Sequence, residues 1–155
     1  LGYGRVRDSE TDPDVTIVDP IIKDGKLTNL KSILVCLSQM ESTHGEGKMY
    51  ASIIEGIDFQ RGYSVAKKTQ NKGMIKYGPF IINGTNCSRF VAKILINSIF
   101  SVIKKLRLRF PFCISPSPKR NVNITNHNYF ILDGFNCKEV LKSKLVSYFT
   151  SIENI

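Results

Sequence analysis

Apolar positions along the chain follow two periods, and their alternation predicts a mixed domain. Leu30, Ile33, Leu34, Leu37 and Met40 recur at the spacing of one buried helical face, and Thr28 or Asn29 ahead of them can cap the first turn. A second helix is predicted over 58–71, capped by Asp58 and closed at Gly73. A third opens at Thr85 or Asn86 and extends to Ile103, with Phe90, Val91, Ile94 and Leu95 on one buried face and Cys87 on that same face in the first turn. Apolar runs bounded by turn residues predict strands at 15–18, 49–54, 74–77, 80–82 and 129–132. Residues 104–110 alternate basic and apolar side chains, which reads as an edge strand or as a frayed continuation of the third helix. Pro111, Pro116 and Pro118 make 113–123 a loop, and a last helix is predicted over 137–149, with Asn136 and Glu139 at capping-box positions. The fold class expected is α+β, in a single domain spanning 1–155.

At 155 residues the chain can bury a core without disulfides or metal. It has no apolar run long enough for a membrane-spanning helix, and no signal-peptide pattern at its start, which favours the cytoplasm. The first residue is Leu1, followed directly by a turn-rich segment, so a truncated or processed product lacking an N-terminal segment is expected. The net charge of +9 is uneven: residues 1–60 carry 6 Lys+Arg against 10 Asp+Glu, and residues 61–155 carry 16 against 3. Such a basic half suits an anionic partner such as nucleic acid, anionic lipid or an acidic glycan, or it is a solvated lysine-rich face. No zinc-finger, helix-turn-helix or RNA-binding signature accompanies it. Cys36, Cys87, Cys113 and Cys137 stand far apart, without the pairing that holds zinc, so neither a metal nor another cofactor is expected.

The chemistry concentrates at Cys87. A thiol in the first turn of a helix meets the unpaired amide N–H groups and the positive end of the helix dipole, which favour its anion, and Arg89 adds positive potential. Cys137 is the internal rival: residues 130–137, FILDGFNC, echo residues 80–87, FIINGTNC, at an offset of fifty, as two similar strand-turn-helix connections. Glu139 beside Cys137 would oppose its anion, so Cys87 is the better nucleophile. The plain alternative for either is a small buried residue.

Asn86-Cys87-Ser88-Arg89-Phe90-Val91 resembles the N-C-x-x-F-V that opens the nucleophile helix of the circularly permuted NlpC-like cysteine enzymes, a papain-like superfamily that includes the lecithin retinol acyltransferase group. Gly2-Tyr3-Gly4-Arg5-Val6-Arg7 through Thr11-Asp12-Pro13, Thr43-His44-Gly45-Glu46-Gly47 and Tyr77-Gly78-Pro79-Phe80 are similar, in the same order, to a bacterial branch of that superfamily. The resemblance implies a small antiparallel sheet packed on the Cys87 helix, and acyl transfer through a thioester.

Such catalysis needs an imidazole to take the thiol proton and return it to the leaving group. His44 precedes Cys87, the permuted order, with Glu46 placed to orient it; His127 follows Cys87, the unpermuted order; a histidine upstream of Leu1 is the third source. Tyr77, Thr85 and Arg89 are candidate supporting groups, and the Cys87 backbone N–H would form part of an oxyanion hole. The reading is a cysteine hydrolase or acyltransferase acting on a small-molecule, peptide or lipid substrate of unassigned identity. The alternative is a non-catalytic module whose basic half binds an anionic partner.

Overall fold

The computed structural model describes residues 2–42, 46–78, 80–109, 116–125 and 128–142. In chain order the elements are β1 (Gly2–Gly4), β2 (Ile22–Lys23), β3 (Lys26–Leu27), α1 (Leu30–Gln39), β4 (Met49–Ala51), α2 (Phe59–Gln70), β5 (Ile75–Tyr77), α3 (Cys87–Ser98), α4 (Val102–Arg107), α5 (Pro118–Thr125), β6 (Tyr129–Asp133) and β7 (Asn136–Val140). Helices mixed with small antiparallel sheets make the chain α+β, consistent with a papain-like fold. The chain divides into two compact units, one drawing its described residues from within 1–6, 53–127 and 142–155, the other from 7–52 and 128–141.

The first unit holds Cys87. Helices α2 and α3 run antiparallel: the Asp58 N–H at the start of α2 donates to Ser98 O at the end of α3 (2.8 Å). The helices pack closely because Gly62 faces Ser98; a Cβ at Gly62 would lie 3.3 Å from the Ser98 Cβ. Ala92, Ile99, Leu108 and Ile124 are buried together, with Ile54, Leu95 and Ile96 packed against them. The deeply buried side chains of α3 are the small ones, Ser88, Ala92 and Ser98, while Val91 is 43% exposed. The apolar spacing places the inner face in part: Leu95 packs on the core, and Phe90 and Ile94 are half-buried. The deepest positions go to small residues, because close helix contact selects for small side chains, whereas hydrophobic periodicity registers only large ones.

Two elements of this unit differ from expectation. The third helix stops at Ser98, where Ile99 turns extended (ψ 147°), and a new helix, α4, starts at Ser101, whose hydroxyl accepts from the Lys104 N–H. The alternating residues after Lys104 are therefore neither strand nor continuation of α3. Lys104 turns inward, donating from Nζ to Thr125 O, and burial, with Arg107 adding to it, lowers its pKa. The stretch taken for a proline-broken loop contains α5: Pro118 occupies the first helical turn, where its missing N–H costs nothing, and the Ser117 hydroxyl accepts from the Arg120 N–H (3.2 Å).

The second unit is built on a three-stranded antiparallel sheet in the order β4-β6-β7, with α1 against β6 and β7. Tyr129 and Leu132 on the central strand are almost fully buried. Residues 137–140, expected to begin a helix, are strand: Cys137 pairs with Leu132 and Glu139 with Phe130, across a turn in which Gly134 takes φ +58°. Cross-strand pairing outweighs a capping-box pattern of only two residues. The strand expected at 15–18 is absent; Pro13–Val15 form a 3-10 turn instead. Arg7 holds this turn, its Nε 3.1 Å from the buried Asp12 carboxylate, with Asp14 as a second partner; those hydrogen bonds raise the Arg7 pKa. Asp24 and Gly25, both at positive φ, join β2 to β3 in a two-residue hairpin.

Candidate active site

Cys87 is the first residue of α3, and it is solvent-exposed with a free thiol. The turn that delivers it is held by backbone and cap hydrogen bonds. Thr85 N–H donates to Lys76 O (2.8 Å) and Gly78 N–H to Thr85 O (2.9 Å), which lays the approach to the helix alongside β5. Gly84 N–H donates to Ile81 O (3.1 Å), closing a turn in which Asn83 takes φ +58°. The Asn86 side chain then accepts from the Arg89 N–H (2.8 Å), an N-cap that leaves the Cys87 N–H outside the helix's own bonding. Residues 80–82, expected as a strand, belong to this turn, and Phe80 and Ile82 are 77% and 85% exposed.

The sulfur has one close polar neighbour among the described residues. The Tyr77 hydroxyl stands 3.3 Å from Cys87 Sγ. That hydrogen bond is the main cause of a raised Tyr77 pKa; partial burial and the charge of Cys87 act in the same direction, and a backbone hydrogen bond with Cys87 works against them. Tyr77 therefore stays a neutral phenol at ordinary pH and can donate to the sulfur when the sulfur carries the charge. Its ring has room because of Gly4 on the paired strand β1: a Cβ there would lie 3.1 Å from Tyr77 Cδ2. A glycine of the opening Gly-Tyr-Gly-Arg block thus acquires a physical reason that the sequence did not show.

The remaining candidates are placed as follows. Arg89 donates from Nη1 to Ile81 O (3.0 Å), pinning the turn to the helix. Two residues along a helix carry its side chain roughly 200° around the axis from Cys87. Thr85 contributes its backbone to the β5 ladder, and its hydroxyl donates to Asn86 O (3.3 Å). Glu46 is exposed, in a bend of the second unit. His44 and His127 lie outside the described residues, as does Cys113. Cys137 is half-buried on β7 and lacks the helix start that made it a rival. No cluster of three or more His, Cys, Asp or Glu side chains that could hold a metal ion occurs among the described residues.

One participant escaped sequence reasoning. Asn121 on α5 is buried and donates from Nδ2 to Ser88 O (2.9 Å), tying α5 to the first turn of α3; its Oδ1 has no hydrogen-bond partner among the described residues. Ser117-Pro118 is a helix-start signal, which proline's breaking role obscures in the sequence.

Fold and site together define a class: a small α+β chain, consistent with a papain-like arrangement, in which a strand and a tight turn deliver an exposed cysteine to the start of a helix. The sequence model of the TseH family, described as type VI secretion system effector TseH-like, matches residues 1–102, from β1 through the end of α3. The chain belongs to that family. Among curated proteins and solved structures, no significant match was found.

Proposed function

We propose that this chain is a cysteine hydrolase or acyltransferase of the TseH-like effector family, with Cys87 as its nucleophile. The carrying observation is the exposed Cys87 sulfur at a capped helix start, with the Tyr77 hydroxyl 3.3 Å away. Sγ attacks the carbonyl carbon of an amide or ester, and the thiol proton passes to an imidazole. The base is taken to be His44, with Glu46 orienting it, or equally a histidine outside this chain, with His127 as the remaining alternative. The imidazolium then protonates the leaving amine or alcohol, which departs to leave a thioester on Cys87. Water, or a second acceptor, attacks the thioester and frees the thiol. The Cys87 N–H, which the helix does not use and which now bonds the Tyr77 hydroxyl, would turn to the oxygen on which charge develops once substrate takes that place. Membership of an effector family and the N-C-x-x-F-V resemblance both support this chemistry.

p-Nitrophenyl acetate tests the reading. The native chain is expected to release about one equivalent of nitrophenol in a burst, with acetyl found on Cys87 by peptide mass spectrometry. Loss of the burst in Cys87→Ala supports the assignment; an equal burst from the variant refutes it.

A further inference from the structure

On the side of α3 away from Cys87 the first unit contains a cavity of about 300 Å³. Its walls are the turn Asn83 to Thr85, the end of α2 at Lys72, and Arg89 and Lys93 on α3; Phe90, Ala92 and Leu108 supply apolar surface. Among the described residues three cations line it and no carboxylate does. Among the described residues none of the three takes part in an ion pair: Lys93 Nζ reaches only the Thr69 hydroxyl, at 3.5 Å, and Arg89 spends one amino group on Ile81 O. Like charges converging on a concave, partly apolar wall repel one another, and a bound anion would relieve that repulsion. The volume is at the small end of the range for ligand sites. The half of the chain that holds the cavity also carries the positive excess, 16 Lys+Arg against 3 Asp+Glu over 61–155.

We propose that this cavity binds a small oxyanion, phosphate or carboxylate, attached to a compact apolar body. Arg89 supplies the planar fork and Lys72 and Lys93 the point charges, while Phe90 and Leu108 receive the apolar part. This site is separate from Cys87, and it stands whether or not Cys87 is a nucleophile.

Isothermal titration of the full chain with phenyl phosphate, inorganic phosphate and benzoate tests it. Phenyl phosphate is expected to bind about tenfold more tightly than inorganic phosphate, through contact with the apolar wall, and to weaken as salt rises. Benzoate matching phenyl phosphate assigns a carboxylate ligand; benzoate binding more weakly assigns a phosphate ester. Lys72→Gln and Lys93→Gln, both at exposed positions, are each expected to weaken binding about tenfold with the melting temperature unchanged, and Cys87→Ala to leave it intact. Absence of saturable binding by all three probes overturns the proposal, as does binding that is unchanged in the double Lys72→Gln, Lys93→Gln variant.

Discussion

The Cys87 sulfur meets a phenol before it meets any charged group among the described residues, so Tyr77 is where its reactivity is most directly tuned. A hydroxyl donating to a sulfur anion contributes roughly 1 kcal/mol, or about fivefold in rate. Tyr77→Phe is therefore expected to slow alkylation of Cys87 by iodoacetamide at neutral pH about fivefold, while alkylation of Cys36 in urea stays the same. An unchanged Cys87 rate would mean that the hydroxyl merely fills space. Arg89, which sequence adjacency suggested as the source of positive potential, is committed elsewhere: its guanidinium holds the Ile81 carbonyl and faces the cavity behind α3. Adjacency in sequence is a poor guide on a helix, where residues two apart point in nearly opposite directions.

At the scale of elements, the helix caps organise the site. The Asn86 cap fixes where α3 begins and so where Cys87 stands. Asn86→Ala should cost about 1 kcal/mol in urea denaturation, and alkylation of Cys87 should slow in the same variant as the first turn frays. A loss of stability with no change at Cys87 would separate the cap from the site. Two of those caps were legible in the sequence: Asp58 and Asn86 start helices where their side chains cap them, Asn29 stands at the start of α1, and Gly73, at φ +65°, stands just past the end of α2. The Asn29 side chain bonds Ile21 N–H and Asp19 O rather than its own helix. What was not legible depends on partners distant in sequence. The strand at Cys137 exists because β6 is there to pair with it, and α4 turns Lys104 inward because α5 offers a carbonyl. A proline at the first turn of a helix and one in a loop look alike in sequence unless the cap before it is recognised, which is why Pro118 points to a break.

For the whole molecule, burial sets how stability follows pH. Desolvation raises the Tyr129 pKa, with Tyr50 adding to it, and Tyr77 is raised through Cys87. The folded chain therefore keeps protons that the unfolded chain, ionising near the ordinary value of 10.0, has already lost. Lys104 acts in the opposite sense: its pKa is lowered from 10.5, so below that pH the unfolded chain binds the extra proton and stability rises toward it. Unfolding free energy is expected to climb toward pH 10 and to fall above it. Lys104→Gln should flatten the climb and Tyr129→Phe the fall. A monotonic profile in the native chain would contradict both assignments. No helix among the described residues is long and apolar enough to cross a membrane.

The proposed chemistry requires Cys87 to be a nucleophile, and the most direct measurement is the site and rate of alkylation. Under limiting iodoacetamide at neutral pH, peptide mass spectrometry of the native chain should find carbamidomethyl on Cys87 ahead of the half-buried Cys36 and Cys137, which react fully only after urea is added. Equal labelling of Cys36, Cys87 and Cys137 in the native chain, or a Cys87 that reacts no faster than it does in urea, would contradict the proposal.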